Sequence, residues 1–260
     1  MNILFIGDIV GKLGRKALAK NLSLIKQKYN IDFVIANGEN ITNGKGISLT
    51  HYNFLIETGV DAITLGNHYA HQKEIYNFID NKEMIRPLNL LDEKNGSGSR
   101  IFDVHGVKIR VSNLLGTATT EMKIDDPYNA ITNVIVDDQS DIHIIDFHAE
   151  YTGEKKALAL SLKNSISAFI GTHTHVQTND AQILTTGVLY ISDVGMCGYN
   201  NGVLGTEANS VIERVIFKND KARFKQLDEG ETIFNAVILN FDDITFKGKN
   251  IITINIIDKE

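Results

Sequence analysis

Five short stretches of this chain put metal-capable side chains directly after an apolar run. They are Gly7-Asp8, Gly38-Glu39-Asn40, Gly66-Asn67-His68, His148 after Phe147, and Gly171-Thr172-His173-Thr174-His175. Hard oxygen and imidazole nitrogen together suit Fe, Mn, Zn or Ni, and a carboxylate can bridge two cations. If the His173–His175 segment is extended, its alternate side chains share one side, roughly 6–7 Å apart. That spacing fits two imidazoles that each hold one of two ions about 3.5–4 Å apart, as in dinuclear hydrolases. Each residue also has an ordinary use. Asp8 can cap a turn, Asn67 can form one, and His148 can be a core histidine satisfied by backbone. Five separate placements at strand ends are what point to a metal site.

The elements that must position these groups alternate along the chain. Ile3–Ile6, Phe33–Ala36, Ala62–Leu65, His143–Phe147 and Ser167–Ile170 read as buried strands. Helical spacing is expected over Leu13–Tyr29, Leu49–Thr58, Lys73–Asn81, Glu154–Lys163 and Glu207–Val215, with a further helix opening at Asp125-Asp126-Pro127. Alternation of this kind predicts parallel βαβ units, whose ligands sit beyond the carboxyl ends of the strands. Ile101-Phe102 and Val107–Val111 flank a turn at His105-Gly106 and read as an antiparallel pair. The β-rich tail, Thr232–Phe241 and Ile251–Ile257, is expected to form a second, mixed sheet packed on the first. No repeat or linker is visible, so residues 1–260 read as one domain.

Composition narrows the function. The chain has 260 residues, 43% hydrophobic, with a formal charge of -6, which disfavours a general nucleic-acid binder. One cysteine, Cys197, leaves no disulfide framework and no Cys-rich zinc site. No apolar run reaches the ~20 residues of a membrane span. The start, Met1 to Asp8, reads as a first strand rather than a signal peptide, so a cytoplasmic location is expected. Gly7, Gly11 and Gly14 match neither G-x-G-x-x-G nor the Walker pattern. Without Gly-x-Ser-x-Gly, a serine hydrolase is also disfavoured.

The ordered motifs resemble those of calcineurin-like metallophosphoesterases. The opening ILFIGDIVGKLGR, with NGEN, GNH, IDFHAE, GTHTHVQT and ISDVGM, is most similar to the bacterial YmdB-like branch, through about Gly205. The resemblance implies a four-layer α/β/β/α sandwich, two mixed sheets flanked by helices. It also implies a dinuclear phosphodiesterase, with activity on 2′,3′-cyclic nucleotides in that branch. The wider superfamily has Asp-x-His where this chain has Asp8-Ile9-Val10, and the resemblance implies that Asn40 takes the missing ligand's place. By the same resemblance Asp8, Glu39, Asn40 and His175 hold one metal. Glu39 bridges to the second, which Asn67, His148 and His173 complete. His68 is the general acid, and a metal-activated hydroxide attacks phosphorus. The expected cofactors are two divalent or mixed-valence transition-metal ions, Fe or Mn ahead of Zn, with a nucleotide or RNA end as substrate. A homo-oligomer is open. Phosphomonoester hydrolysis and nucleotide or RNA binding without turnover are the alternatives. Substrate-binding residues are not defined; Lys12, Tyr69 and Thr174 are only candidates for the pocket. Asp146 is expected behind the ligands and Asp193 either behind them or at the substrate, whereas His143 should face away and His51 and His105 should lie at the surface.

Overall fold

The first strand sets the pattern of layers. In β1 (Asn2–Ile6) Ile3 and Phe5 point to one face and Leu4 and Ile6 to the other, all fully buried. A strand apolar on both faces must lie in the middle of a stack. The computed structural model describes residues 1–91, 93–119 and 122–259. The first sheet contains β1, β2 (Asp8–Ile9), β3 (Phe33–Asn37), β4 (Ala62–Thr64) and β5 (Met84–Ile85). The second is built from β6 (Ser99–Val104), β7 (Val107–Leu115), β8 (Ile142–His148), β9 (Ala168–Thr172), β10 (Gln182–Ile183) and β11 (Leu189–Ile191). The chain then returns to the first sheet with β12 (Met196–Tyr199), β13 (Thr232–Phe241) and β14 (Gly248–Asp258).

Ile3, Phe5, Phe33 and Ile35 of the first sheet meet Val111, Ile144, Ile170 and Ile191 of the second in one buried core. On the outer side of the first sheet, Leu4, Ile6 and Val34 pack with Leu18 and Leu22 of α1 (Gly11–Tyr29) and Leu55 of α2 (Leu49–Thr58). Outside the second, Ile145, Phe147 and Phe169 pack with Ile131 of α3 (Pro127–Ile135) and Leu158 of α4 (Thr152–Ser161). The result is the expected α/β/β/α sandwich.

Three local expectations are corrected. The tail does not build the second sheet. β13 pairs along its length with β14 and, across its other edge, with β12 and with β1, in the middle of the first sheet. Apolar faces on β13 (Ala236 and Ile238 one way, Val237 and Leu239 the other) suit a strand covered on both sides. The helix expected over Lys73–Asn81 is a 3₁₀ turn at Lys73–Asn77, with no capping side-chain bond at its start. Ile75, Phe78 and Ile79 are buried there without needing a longer helix. The helix expected over Glu207–Val215 is α5 (Ala208–Val211) followed by a wider turn over Ile212–Ile216, and none of it is buried.

β3 runs parallel to β1 and β4, and β8 parallel to β7 and β9. The carboxyl ends that carry the polar motifs therefore gather at one end of the sandwich.

Candidate metal centre

Asp8 opens β2 just past the break at Gly7 and is fully buried. Its Oδ2 accepts from the His173 amide at 3.2 Å. Its Oδ1 accepts no hydrogen bond among the described residues and lies 3.8 Å from both His148 Nδ1 and His175 Nε2. Glu39, beyond β3, accepts from Asn40 Nδ2 and from the His68 amide, each at 3.0 Å. Glu39 Oε1 is 3.2 Å from His148 Nε2 and 3.3 Å from His68 Nδ1. His148 Nε2 also lies 3.0 Å from Asn67 Oδ1 and 3.0 Å from His173 Nδ1. Asn40 Nδ2 is 3.1 Å from His175 Nε2. The structure thus gathers Asp8, Glu39, Asn40, Asn67, His68, His148, His173 and His175 into one cage from both sheets.

A layer behind the cage orients it. His148 Nδ1 lies 3.0 Å from Thr172 Oγ1, which donates to Asp146 at 2.7 Å, and Asp146 accepts from Asn37 Nδ2 at 3.1 Å. Such outer partners fix the ring and the tautomer of a ligating histidine. His173 turns its Nε2 to Glu150 at 3.0 Å, and His175 Nδ1 donates to the Leu204 carbonyl at 3.1 Å.

The His173–His175 segment corrects the extended-backbone expectation. β9 ends at Thr172, and His173 (φ 102°) and His175 (φ 62°) occupy left-handed conformations. Each such non-glycine residue costs about 1–3 kcal/mol and persists only where its surroundings enforce it. Here a buried ion pair does so. Lys155 Nζ donates to the Thr172 carbonyl and to Asp193 Oδ2, both at 2.9 Å. Asp193 in turn accepts from the Thr174 amide at 3.0 Å and the Gly195 amide at 2.9 Å.

Do these residues fit a metal pair? Glu39, His148 and His173 offer ligand atoms within 4.8 Å of one another. The buried Asp8 Oδ1, which has no hydrogen-bond partner among the described residues, supplies a fourth donor. Burial pushes the Asp8 carboxyl up despite His175 and His148 beside it. Burial also works to raise Glu39, but His148 and His68 outweigh it and hold its carboxyl well below the usual range. Burial opposes charge on His148, yet Glu39, Asp8 and Asp146 pull its pKa up to about 9. Burial and the neighbouring His148 push His173 down to about 3. A proton on His148 thus offsets buried carboxylate charge, the task a cation performs in such a cage. Gly66 completes the fit, because a Cβ there would collide with Glu39 Oε2 and His148 Nε2. The donor set and its charge match hard or borderline divalent cations.

Outside the cage, His143 faces Ser112 and Asp138 on the far side of β8. His51 is half-buried against Thr42 and Ser48, more enclosed than its expected surface position, whereas His105 is exposed. The His71 ring meets His68 edge-on at 5.0 Å. Tyr69 is buried and donates to Glu93, and Lys12 pairs with Asp228. Sequence reading did not single out Glu150 or Lys155. Lys155 left a signal, since it stands three residues before Leu158 on the buried face of α4.

Two stacked sheets with a polyvalent cage at their shared carboxyl end define the metallophosphoesterase class of fold. The YmdB-like protein family matches residues 4–254, and the chain belongs to that family. A Bacillus subtilis relative named 2′,3′-cyclic-nucleotide 2′-phosphodiesterase is 41% identical, over 96% of this chain and 95% of its own. A Mycoplasma genitalium protein named as a candidate phosphatase/phosphodiesterase is 41% identical over 91% of this chain and 86% of its own. Among solved structures, a Mycoplasma pneumoniae phosphatase superposes with a TM-score of 0.95 at 37% identity, covering 100% of this chain and 94% of that one. A Thermus thermophilus protein without an assigned function gives 0.92 at 34%, covering 99% and 100%. A Staphylococcus aureus protein named as a candidate 5′-nucleotidase shares the fold alone, at 15% identity and a TM-score of 0.62, over 100% of this chain and 55% of its own. These relationships make the chain an enzyme of the phosphoester-hydrolase class. No helix among the described residues is long and apolar enough to cross a membrane.

Proposed function

We propose that the chain is a dinuclear, metal-dependent phosphodiesterase that opens 2′,3′-cyclic nucleotides. The observation that carries this reading is the cage itself, in which donors from residue 8 to residue 175 gather around a buried Asp8 oxygen that has no hydrogen-bond partner among the described residues and lies 3.8 Å from His148 and His175. Asp8, Glu39, Asn40 and His175 would hold one cation, and Asn67, His148 and His173, with Glu39 shared, would hold the second. When bound, such ions would supply Lewis acidity, lowering the pKa of water and offsetting charge on the phosphoryl oxygens.

The chain's own residues do the rest. In ring opening, water oxygen bonds to phosphorus and releases a proton to solvent, the bond to one ribose oxygen breaks, and that oxygen takes a proton. His68 is placed to give it. Its Nδ1 lies 3.0 Å from Asn40 Oδ1 and 3.3 Å from Glu39 Oε1, so this nitrogen carries its hydrogen toward those acceptors. Nε2 is then the nitrogen that protonates the leaving oxygen. At 26% exposure the ring reaches both the cage and the solvent where a nucleotide arrives. The Lys155–Asp193 pair keeps His173 and His175 from relaxing out of position.

The name of the Bacillus subtilis relative supports the cyclic substrate. The direct test is hydrolysis of 2′,3′-cyclic against 3′,5′-cyclic nucleotides by the manganese-loaded chain. The expected result is turnover of the 2′,3′ isomers that stops on chelation and returns with Mn²⁺. Activity on monoesters alone would overturn the reading.

A further inference from the structure

Between Leu204 and Gln226 the chain leaves the sandwich and returns at the same edge of the cage. On the outgoing side the Leu204 carbonyl receives His175 Nδ1. On the returning side Gln226 lies against Gly11 and Gly44, and Gly44 donates to the carbonyl of Asn40 at 3.0 Å. The stems are tied to each other, Gln226 Nε2 donating to Thr206 Oγ1 at 3.2 Å and the Glu207 amide to the Lys225 carbonyl at 2.9 Å. Yet nothing from 207 to 225 is buried. A 19-residue excursion fastened beside two cage residues, with no residue of its body buried, is poorly explained by stability.

Its surface chemistry is unlike the rest of the chain. Residues 214–225 carry Arg214, Lys218, Lys221, Arg223 and Lys225 against one carboxylate, Asp220, in a protein of formal charge -6. Arg214 is paired with Asp220, but the other four cations have no carboxylate at ion-pair distance among the described residues. Interleaved with them, Phe217 is 66% exposed and Phe224 58%. Exposed rings between unpaired cations, beside a phosphodiester centre, match a single-stranded nucleic acid, whose bases stack and whose phosphates pair. A second copy of the strap would bring like charges together.

We infer that this strap is a binding platform for single-stranded RNA, which delivers a 3′ end bearing a 2′,3′-cyclic phosphate to the cage. The inference rests on the phosphodiesterase reading for its chemistry and extends it to an oligonucleotide substrate. Phe217 and Phe224 stack bases upstream of the terminal nucleotide, and Lys218, Lys221 and Arg223 meet the intervening phosphates.

Two measurements on the full-length chain keep this distinct from the parent reading. The first is fluorescence anisotropy of a labelled eight-nucleotide RNA with the metal-free protein, which needs no turnover. The Phe217→Ala/Phe224→Ala variant should bind about tenfold or more weakly, the scale of lost base stacking. Lys218→Glu/Lys221→Glu/Arg223→Glu should flatten the dependence of log affinity on log salt by about 2, near 0.7 per phosphate contact. Equal RNA binding by wild type and both variants would overturn the inference. So would a change in sedimentation instead of RNA affinity, which would assign the face to a protein contact. The second compares kcat/KM on 2′,3′-cyclic AMP and on an RNA octamer ending in a 2′,3′-cyclic phosphate. The variants should lose at least tenfold on the octamer and less than twofold on the mononucleotide. Equal losses on both would make the strap structural and contradict the proposal. If wild type cleaves neither, the phosphodiesterase reading fails while the anisotropy result still decides whether the strap binds RNA.

Discussion

At the scale of the residue, His148 is proposed to hold a metal and His68 to transfer a proton. His148 is buried with its pKa pulled up to about 9, above the ~6.5 of an unfolded histidine. A folded-state pKa raised in this way stabilises the metal-free fold fully below about pH 6.5, and that stability is lost as pH rises through about 9. Thermal unfolding of the metal-free chain should therefore show Tm falling between pH 6.5 and 9. The manganese-loaded chain should lack this fall, because the metal replaces the proton. His68 predicts a different signature. His68→Ala should lower kcat about 10²–10⁴-fold, the usual scale of general acid catalysis, while metal content stays unchanged. Loss of metal together with activity would make it a ligand or a support. Asp8, Glu39, Asn67 and His148 were legible because each follows an apolar strand directly. Glu150 was not, since its contact with His173 depends on a left-handed turn that no residue spacing reveals.

At the scale of the element, the segment after β9 depends on α4. Lys155 reaches from that helix to Asp193 and to the Thr172 carbonyl, so one buried pair braces the turn that aims two histidines. Removing one partner leaves the other charge buried, at a cost of about 3–5 kcal/mol. Lys155→Met should lower Tm accordingly and weaken Mn²⁺ affinity by calorimetry, with Lys155→Arg restoring part of both. Unchanged metal affinity in a folded Lys155→Met chain would show that the pair supports the fold and not the cage. The strand–helix alternation through β9 was readable because local periodicity encodes it. The place of β13 was not, because its pairing with β1 joins Ile3 to Leu239, a contact no local pattern records.

At the scale of the whole molecule, the sandwich brings the carboxyl ends of two sheets face to face, so donors far apart in sequence share one buried space. The four layers were implied by the family resemblance, and they suit strands buried on both faces, such as Ile3–Ile6 and Ile142–His148, which demand cover on each side. The strap at 207–225 stands outside that logic, since exposed residues leave no burial pattern to read. The central claim is that this space holds two cations bridged by Glu39. Anomalous diffraction from crystals of the manganese-loaded chain tests it most directly. The account predicts two peaks about 3.5–4 Å apart, the dinuclear spacing, with Glu39 between them and Asp8 and His148 each coordinating. A single peak, or a pair that Glu39 does not touch, would contradict it.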